Sequence, residues 1–254
     1  MRVVSALALF LAVIAAWLPG SVTAAAEKVD LELVLAVDAS GSVNAREFQL
    51  QLSGIARAFR DRSIQQAITS GAHGRIAVSL LVWSDAAFPV RSIGWHVLVS
   101  PQDAHDFANA VEGLPQREGG GTGIGNGVAF AIRAIAGNGI EGTRRIVDVS
   151  GDGPETPPWF GRGIEMPAAR RLAEQQKVTI NGLAILTDFP RLDEWYREHV
   201  MTGTDSFVMR AGDYEDFADA IREKLWREIT VIVSDADQHL KRPKVMARSA
   251  HHQR

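Results

Sequence analysis

Residues 31–37, Leu31-Glu32-Leu33-Val34-Leu35-Ala36-Val37, form a nearly continuous apolar run that stops abruptly at Asp38-Ala39-Ser40-Gly41-Ser42. A run that is apolar at successive rather than alternate positions is the pattern of a strand buried on both faces, and such strands belong to parallel sheets covered by helices. The remainder of the chain repeats the theme. Helix-period stretches at about 45–60, 101–112, 128–136, 166–176, 192–200 and 214–228 alternate with short strand-like runs at 75–83, 90–99, 146–150, 178–186 and 206–209. The runs at 75–83 and 90–99 read, like the first, as buried strands. Alternation of this kind along the whole chain predicts one α/β domain, a doubly wound and mostly parallel sheet flanked by helices. No internal repeat, heptad pattern or dividing linker interrupts it.

The two ends are set apart from this domain. Arg2, the uncharged apolar run from Val3 to Trp17 and the small residues Ser21 to Ala26 have the layout of a secretory signal peptide over residues 1–26, with cleavage after Ala24 or Ala26. The apolar run is short for a membrane span, and no cysteine follows it to carry a lipid. The expectation is an exported mature chain, periplasmic or secreted, with no transmembrane anchor. The domain is expected over 27–233, followed by a basic, disordered tail at 234–254, of which residues 241–254 carry five Lys/Arg and no acid. Between the ends, residues 27–240 hold 21 bases against 30 acids, net −9, which gives no reason to expect a nucleic-acid partner. The absence of cysteine excludes disulfides, thiolate zinc sites, iron–sulfur clusters and a cysteine nucleophile.

Open α/β sheets bind ligands at the carboxyl ends of their strands. Three polar segments are expected there: Asp38-Ala39-Ser40-Gly41-Ser42, Thr122 within the glycine-rich stretch 119–127, and Asp152 after the run 146–150. Positions 38, 40 and 42 alternate along a tight turn and so aim three oxygen-bearing side chains together. Hydroxyls from Ser40, Ser42 and Thr122 with carboxylates from Asp38 and Asp152 make an all-oxygen set, suited to Mg²⁺, with Mn²⁺ or Ca²⁺ as alternatives, and not to zinc. Five protein oxygens do not enclose an ion, so one position is left open to solvent. Asp148 is a rival carboxylate on the third segment, but it lies inside the strand, and Asp152 is preferred. Ser84, Asp85, Glu155 and Trp159 flank these segments and are candidates for touching a ligand.

No catalytic residue is assigned. The glycine stretch does not fit Gly-x-Gly-x-x-Gly, and neither a phosphate loop nor a Gly-x-Ser-x-Gly nucleophile elbow occurs. Two alternatives to a binding module stay open: a Mg-dependent hydrolase with Asp38 as nucleophile, and a structural metal site that takes no ligand.

Asp38-x-Ser40-x-Ser42, Thr122 and Asp152-Gly153, in this order, resemble the metal-ion-dependent adhesion site of von Willebrand factor A domains, over about residues 29–230. His73-Gly74-Arg75-Ile76-Ala77-Val78, Trp83-Ser84, Gly119-Gly120-Gly121-Thr122, the stretch 148–154 and Ile180-Asn181-Gly182-Leu183 further resemble a group of exported bacterial A-domain proteins of unknown function. The resemblance implies a Rossmann-like sheet with one antiparallel edge strand. It also implies direct ligation by Ser40, Ser42 and Thr122, with Asp38 and Asp152 acting largely through water. The open position would take a carboxylate from a protein or peptide partner, and the segment 214–228 would be the helix that shifts on ligation.

Overall fold

The computed structural model describes residues 26–87, 90–115, 119–157 and 163–240. The expected signal peptide, all but its last residue, lies outside them, as do Trp159 and the basic residues past 240. Six strands and seven helices follow one another as β1 (Glu27–Asp38), α1 (Ala45–Arg60), α2 (Arg62–Ile68), β2 (Ile76–Trp83), β3 (Arg91–Leu98), α3 (Pro101–Glu112), α4 (Ile124–Ala136), β4 (Ile140–Gly151), α5 (Met166–Gln176), β5 (Thr179–Ile185), α6 (Leu192–His199), β6 (Val208–Ala211) and α7 (Phe217–Leu240). They build a single sheet in the order β3-β2-β1-β4-β5-β6. Every pairing is parallel except that of β3 with β2.

β1 is central because its composition leaves it no alternative: from Val29 to Asp38 every residue is buried. Its side chains alternate between two cores, as a pleated strand requires. Leu31, Leu33, Leu35 and Val37 face α1, α3 and α7 and meet Phe48, Phe59, Phe107 and Phe217. Val34 and Ala36 face α4, α5 and α6 and meet Ile124, Val128, Met166 and Tyr196. The charged interruption in the run, Glu32, is fully buried and satisfied. Its carboxylate accepts from Asn138 Nδ2 (2.6 Å) and Gly142 N (2.7 Å) and pairs with Arg145 Nε at 3.3 Å.

Four expectations need correction. The run 90–99 is an exposed edge: β3 is the antiparallel outer strand, and most of its residues are only half-buried. β4 begins six residues earlier than the apolar run 146–150 suggested, because Ile140–Arg145 pair with β1 while alternating in exposure. The glycine-rich stretch is loop only to Gly123, and Ile124-Gly125-Asn126-Gly127 form the first turn of α4. The last helix starts at Phe217 rather than at residue 214 and runs to Leu240 rather than ending near 228. α2 was not anticipated; Asp61 caps it by accepting from Ser63 N.

β2 and β4 lie on opposite sides of β1, so the connections leaving β1 and β4 diverge at their carboxyl ends. That divergence is the switch point at which α/β sheets hold ligands. Among the described residues no helix is long and apolar enough to cross a membrane.

Candidate functional site

Asp38 is the last residue of β1, and the chain turns sharply after it. Ser40 N donates to Asp38 Oδ1 at 2.7 Å, and Val43 N donates to Ser40 O at 3.0 Å. Asn44 then starts α1 with a capping box, its side chain accepting from Glu47 N while Glu47 accepts from Asn44 N. The tightness of the turn brings Ser40 Oγ and Ser42 Oγ to 3.1 Å. From the far side of the switch point, Asp152 reaches the same turn: Ser42 Oγ donates to Asp152 Oδ1 at 2.8 Å. Two segments 110 residues apart in sequence thus meet through their side-chain oxygens.

The glycine stretch closes the third side. Gly41 N donates to Gly120 O at 2.9 Å, and Gly123 N to Ser84 O at 3.2 Å. Gly119 has to lack a side chain, because a Cβ there would come within 2.2 Å of Ser84 Cβ and 2.6 Å of Ala39 O. Thr122 is locked to the third segment on both of its backbone groups. Its N–H donates to Thr156 Oγ1 (2.9 Å), and its carbonyl accepts from Thr156 N (3.0 Å). The five sequence-predicted residues therefore lie on three loops that bond to one another. Asp38, Ser40 and Asp152 are buried, Thr122 is nearly so, and Ser42 stands at the solvent side.

The electrostatics of the cluster are one-sided. Asp38 is fully buried, and its Oδ2 has no hydrogen-bond partner among the described residues. Burial, then the neighbouring negative charge of Asp152, push its carboxyl up to about 8 against the partial opposition of the Ser40 hydrogen bonds. No Lys, Arg or His among the described residues pairs with Asp38 or Asp152. Two carboxylates at the carboxyl ends of adjacent parallel strands, one with an unpartnered buried oxygen, fit a group that brings positive charge. The donor set is oxygen only, as a hard divalent cation requires. Among the described residues no three His, Asp or Glu side chains come together in a metal-holding group, so such a cation would depend on the hydroxyls of Ser40, Ser42 and Thr122.

Both tyrosines of the chain turn inward on this site, and the sequence reading missed both. Tyr214 OH, just ahead of α7, donates to Asp152 Oδ2 at 3.0 Å. Tyr196 OH, from α6, is buried without a hydrogen-bond partner among the described residues, and a Cβ on Gly151 would lie 2.7 Å from it and 2.8 Å from Asp38 Oδ2. Burial and the neighbouring carboxylates hold both phenols protonated, above their ordinary range. Gln51 was also missed. Its Nε2 donates to Asp38 O at 3.0 Å, and its Oε1 accepts from Ser150 Oγ at 3.4 Å, tying β1 to β4. Nothing in local spacing marks these three; only the scarcity of tyrosine was a signal.

The four candidates for ligand contact divide. Ser84 is half-buried, with its side chain against Gly119. Asp85 is buried and shapes its own turn, Oδ1 accepting from Ala87 N at 2.7 Å. Glu155 serves the fold: Oε1 accepts from Gly125 N (2.7 Å) and Oε2 from Met166 N (2.8 Å), so one carboxylate caps the amino ends of both α4 and α5. Trp159 lies outside the described residues. Asp148, the rival of Asp152, is turned away into a cluster with Lys224. Glu155→Ala removes a cap from two helices at once, at ~1 kcal/mol each. In a domain of this size that is expected to lower Tm by roughly 4–8 °C, read by circular dichroism; an unchanged Tm would refute the double cap.

Fold and site together define an α/β sheet domain with an oxygen-only cluster of hydroxyls and carboxylates at its topological switch point. The chain belongs to the family described as "Protein of unknown function (DUF1194)", whose model matches residues 28–233. No curated protein sequence matches it. Among solved structures it is similar to the pilus adhesin SpaC from Lactobacillus rhamnosus GG, with 16% identity over 82% of this chain and 31% of that one, TM-score 0.55. It is also similar to proximal thread matrix protein 1 from the mussel byssus, with 15% identity over 81% of this chain and 46% of that one, TM-score 0.56. The chain spans less than half the length of either. At these identities the likeness is one of fold.

Proposed function

We propose that the chain is an exported, divalent-cation-dependent protein-binding module of the von Willebrand A type, with no catalytic activity of its own. The observation that carries this reading is the meeting of Ser40, Ser42 and Asp152 through their side-chain oxygens, beside the buried, unpartnered Oδ2 of Asp38. Two chains sharing its fold are an adhesin and a matrix protein, which supports a role in binding over one in turnover.

Ser40, Ser42 and Thr122 would hold Mg²⁺ directly, and Asp38 and Asp152 through water, with Mn²⁺ or Ca²⁺ as alternatives. Bound there, the cation supplies a positive charge with one position open to a partner's carboxylate. The chain's own residues prepare that contact. The exposed Ser42 marks the side on which a partner enters, while Tyr214 holds the Asp152 carboxylate and Gln51 the main-chain carbonyl of Asp38 from behind. Hydrolysis with Asp38 as nucleophile is not favoured, because no basic side chain among the described residues pairs with it.

Calorimetric titration of the mature chain with Mg²⁺, Mn²⁺ and Ca²⁺ tests the reading. Asp152→Asn and Thr122→Ala are each expected to weaken the preferred cation by about 10–100-fold; unchanged affinity in both would dispose of the site. Tyr214→Phe leaves Asp152 one hydrogen bond short, and a smaller loss, roughly 3–10-fold, is expected in the same titration.

A further inference from the structure

Beside the Asp152 loop lies an apolar groove of about 340 Å³, lined by Pro154, Phe189, Pro190, Arg191, Leu192 and Trp195. We propose that this groove is the second half of the partner-binding surface and takes a large apolar side chain next to the acidic residue of a protein or peptide partner. The inference rests on the proposed reading of the cation site and specifies which partners that site accepts.

Three observations carry it. First, the groove and the site are continuous. Phe189 packs on Gly153, one residue from Asp152, with a ring carbon 3.7 Å from where a Cβ would stand. Trp195 stacks edge-to-face on Tyr196, whose hydroxyl lies beside Asp38, with ring centroids 5.8 Å apart.

Second, the groove recognises side chains rather than main chain. Pro154 and Pro190 have no N–H to offer a peptide strand, and Phe189 is 48% exposed, a large apolar surface that water covers in the free protein. Third, the charge arrangement fits one acid only. The groove's single ionic residue, Arg191, is occupied by Glu194 (Nε to Oε2 2.8 Å), and Asp188 stands exposed next to Phe189. A carboxylate is welcome at the cation, while Asp188 repels a second one over Phe189, where an uncharged apolar side chain is favoured.

The probes are three terminally blocked peptides: Gly-Leu-Asp-Leu-Gly, Gly-Ser-Asp-Ser-Gly and Gly-Leu-Asn-Leu-Gly. Each is titrated into the full mature chain at saturating Mg²⁺, and into Phe189→Ser, an exposed position whose Mg²⁺ affinity is measured alongside. The Leu-Asp-Leu peptide is expected to bind the wild type at least about tenfold tighter than Ser-Asp-Ser, as burial of one apolar side chain gives. Phe189→Ser should erase that ratio while leaving Mg²⁺ affinity unchanged. Equal binding of the two peptides, or a preference that survives Phe189→Ser, overturns the groove proposal with the cation site intact. If Leu-Asn-Leu binds as well as Leu-Asp-Leu, or Mg²⁺ does not bind at all, the reading of the cation site fails instead. Dimerisation in sedimentation that Phe189→Ser abolishes would assign the groove to a second copy of this chain and also overturn the proposal.

Discussion

Asp38→Asn is expected to make the cation-free protein more stable while weakening cation binding about 10–100-fold. The two effects share one cause. Asp38 is fully buried, its Oδ2 has no hydrogen-bond partner among the described residues, and burial with the charge of Asp152 pushes its carboxyl up to about 8 from 3.8. A carboxyl whose pKa is raised by folding stabilises the native state fully below pH 3.8, and that contribution is lost as pH rises through about 8. At pH 7 most of the window has been crossed, at ~1.4 kcal/mol per unit, so the cost in the cation-free fold is on the order of 4 kcal/mol. Asn keeps an oxygen for the Ser40 N–H and carries no charge, though its amide must find an acceptor in Tyr196. A net gain on the order of 2 kcal/mol remains, or roughly 4–8 °C in Tm for a domain of this size. It should grow between pH 5 and pH 8. Thermal melts in chelator across that range, paired with Mg²⁺ titration, check both signs. A variant that melts lower than wild type at pH 8 in chelator would show that the unpartnered oxygen is not a liability, and the argument for a missing positive charge would go with it.

What could be read from the sequence follows from how local each signal is. β1 and the Asp38-Ser40-Ser42 turn are adjacent in the chain, and both announce themselves, the strand by an unbroken apolar run and the turn by alternating oxygens. Asp152 was legible for the same reason, at the end of the buried part of β4. The first half of β4, Ile140–Arg145, was not, because Glu141, Thr143, Arg144 and Arg145 lie where the sheet is exposed and carry no apolar run. β3 was read as buried from Ile93, Trp95 and Val97, residues equally at home on a half-covered edge. Glu155 looked like a carboxylate near the site, and only the distances show that it is spent on two helix ends. Tyr196 and Tyr214 reach the site from elements about 40–60 residues further along the chain than Asp152, and no local pattern records a contact of that range. Lys224 and Glu228 are the sharpest case: nothing in their i, i+4 spacing distinguishes them from a solvated helix pair, yet both are buried.

That buried pair gives the largest expected loss of stability. Lys224 Nζ sits 2.8 Å from Asp148 Oδ1 on β4 and 2.6 Å from Glu228 Oε1, with Asn181 Nδ2 of β5 donating to the same Glu228 oxygen at 2.7 Å. Two carboxylates share one ammonium, and the Arg144 guanidinium donates to the main-chain carbonyl of Glu228 beside them. Burial, with Glu228 beside it, raises Asp148 to about 7 in spite of Lys224. Lys224→Met removes the only counter-charge at Asp148 among the described residues and leaves that acid uncompensated in the core, a change that costs about 3–5 kcal/mol in buried pairs, or roughly 6–20 °C. The loss should depend on pH in a defined direction. In the wild type the native state holds the Asp148 proton more tightly than the unfolded chain does, so stability falls as pH rises from about 4 to about 7. Without Lys224 the native pKa climbs further, and the fall continues above pH 7. Asp148→Asn in the Lys224→Met background removes the stranded acid and should restore at least half of the lost stability at pH 8, a coupling that a double-mutant cycle in urea isolates. Lys224→Met within 1 kcal/mol of wild type at pH 8, or no coupling to Asp148, would mean that the ammonium does not hold α7 to the sheet. Because Tyr214 links the chain just ahead of α7 to Asp152, the same cycle repeated with Mg²⁺ bound reports whether the second turn of that helix senses the site.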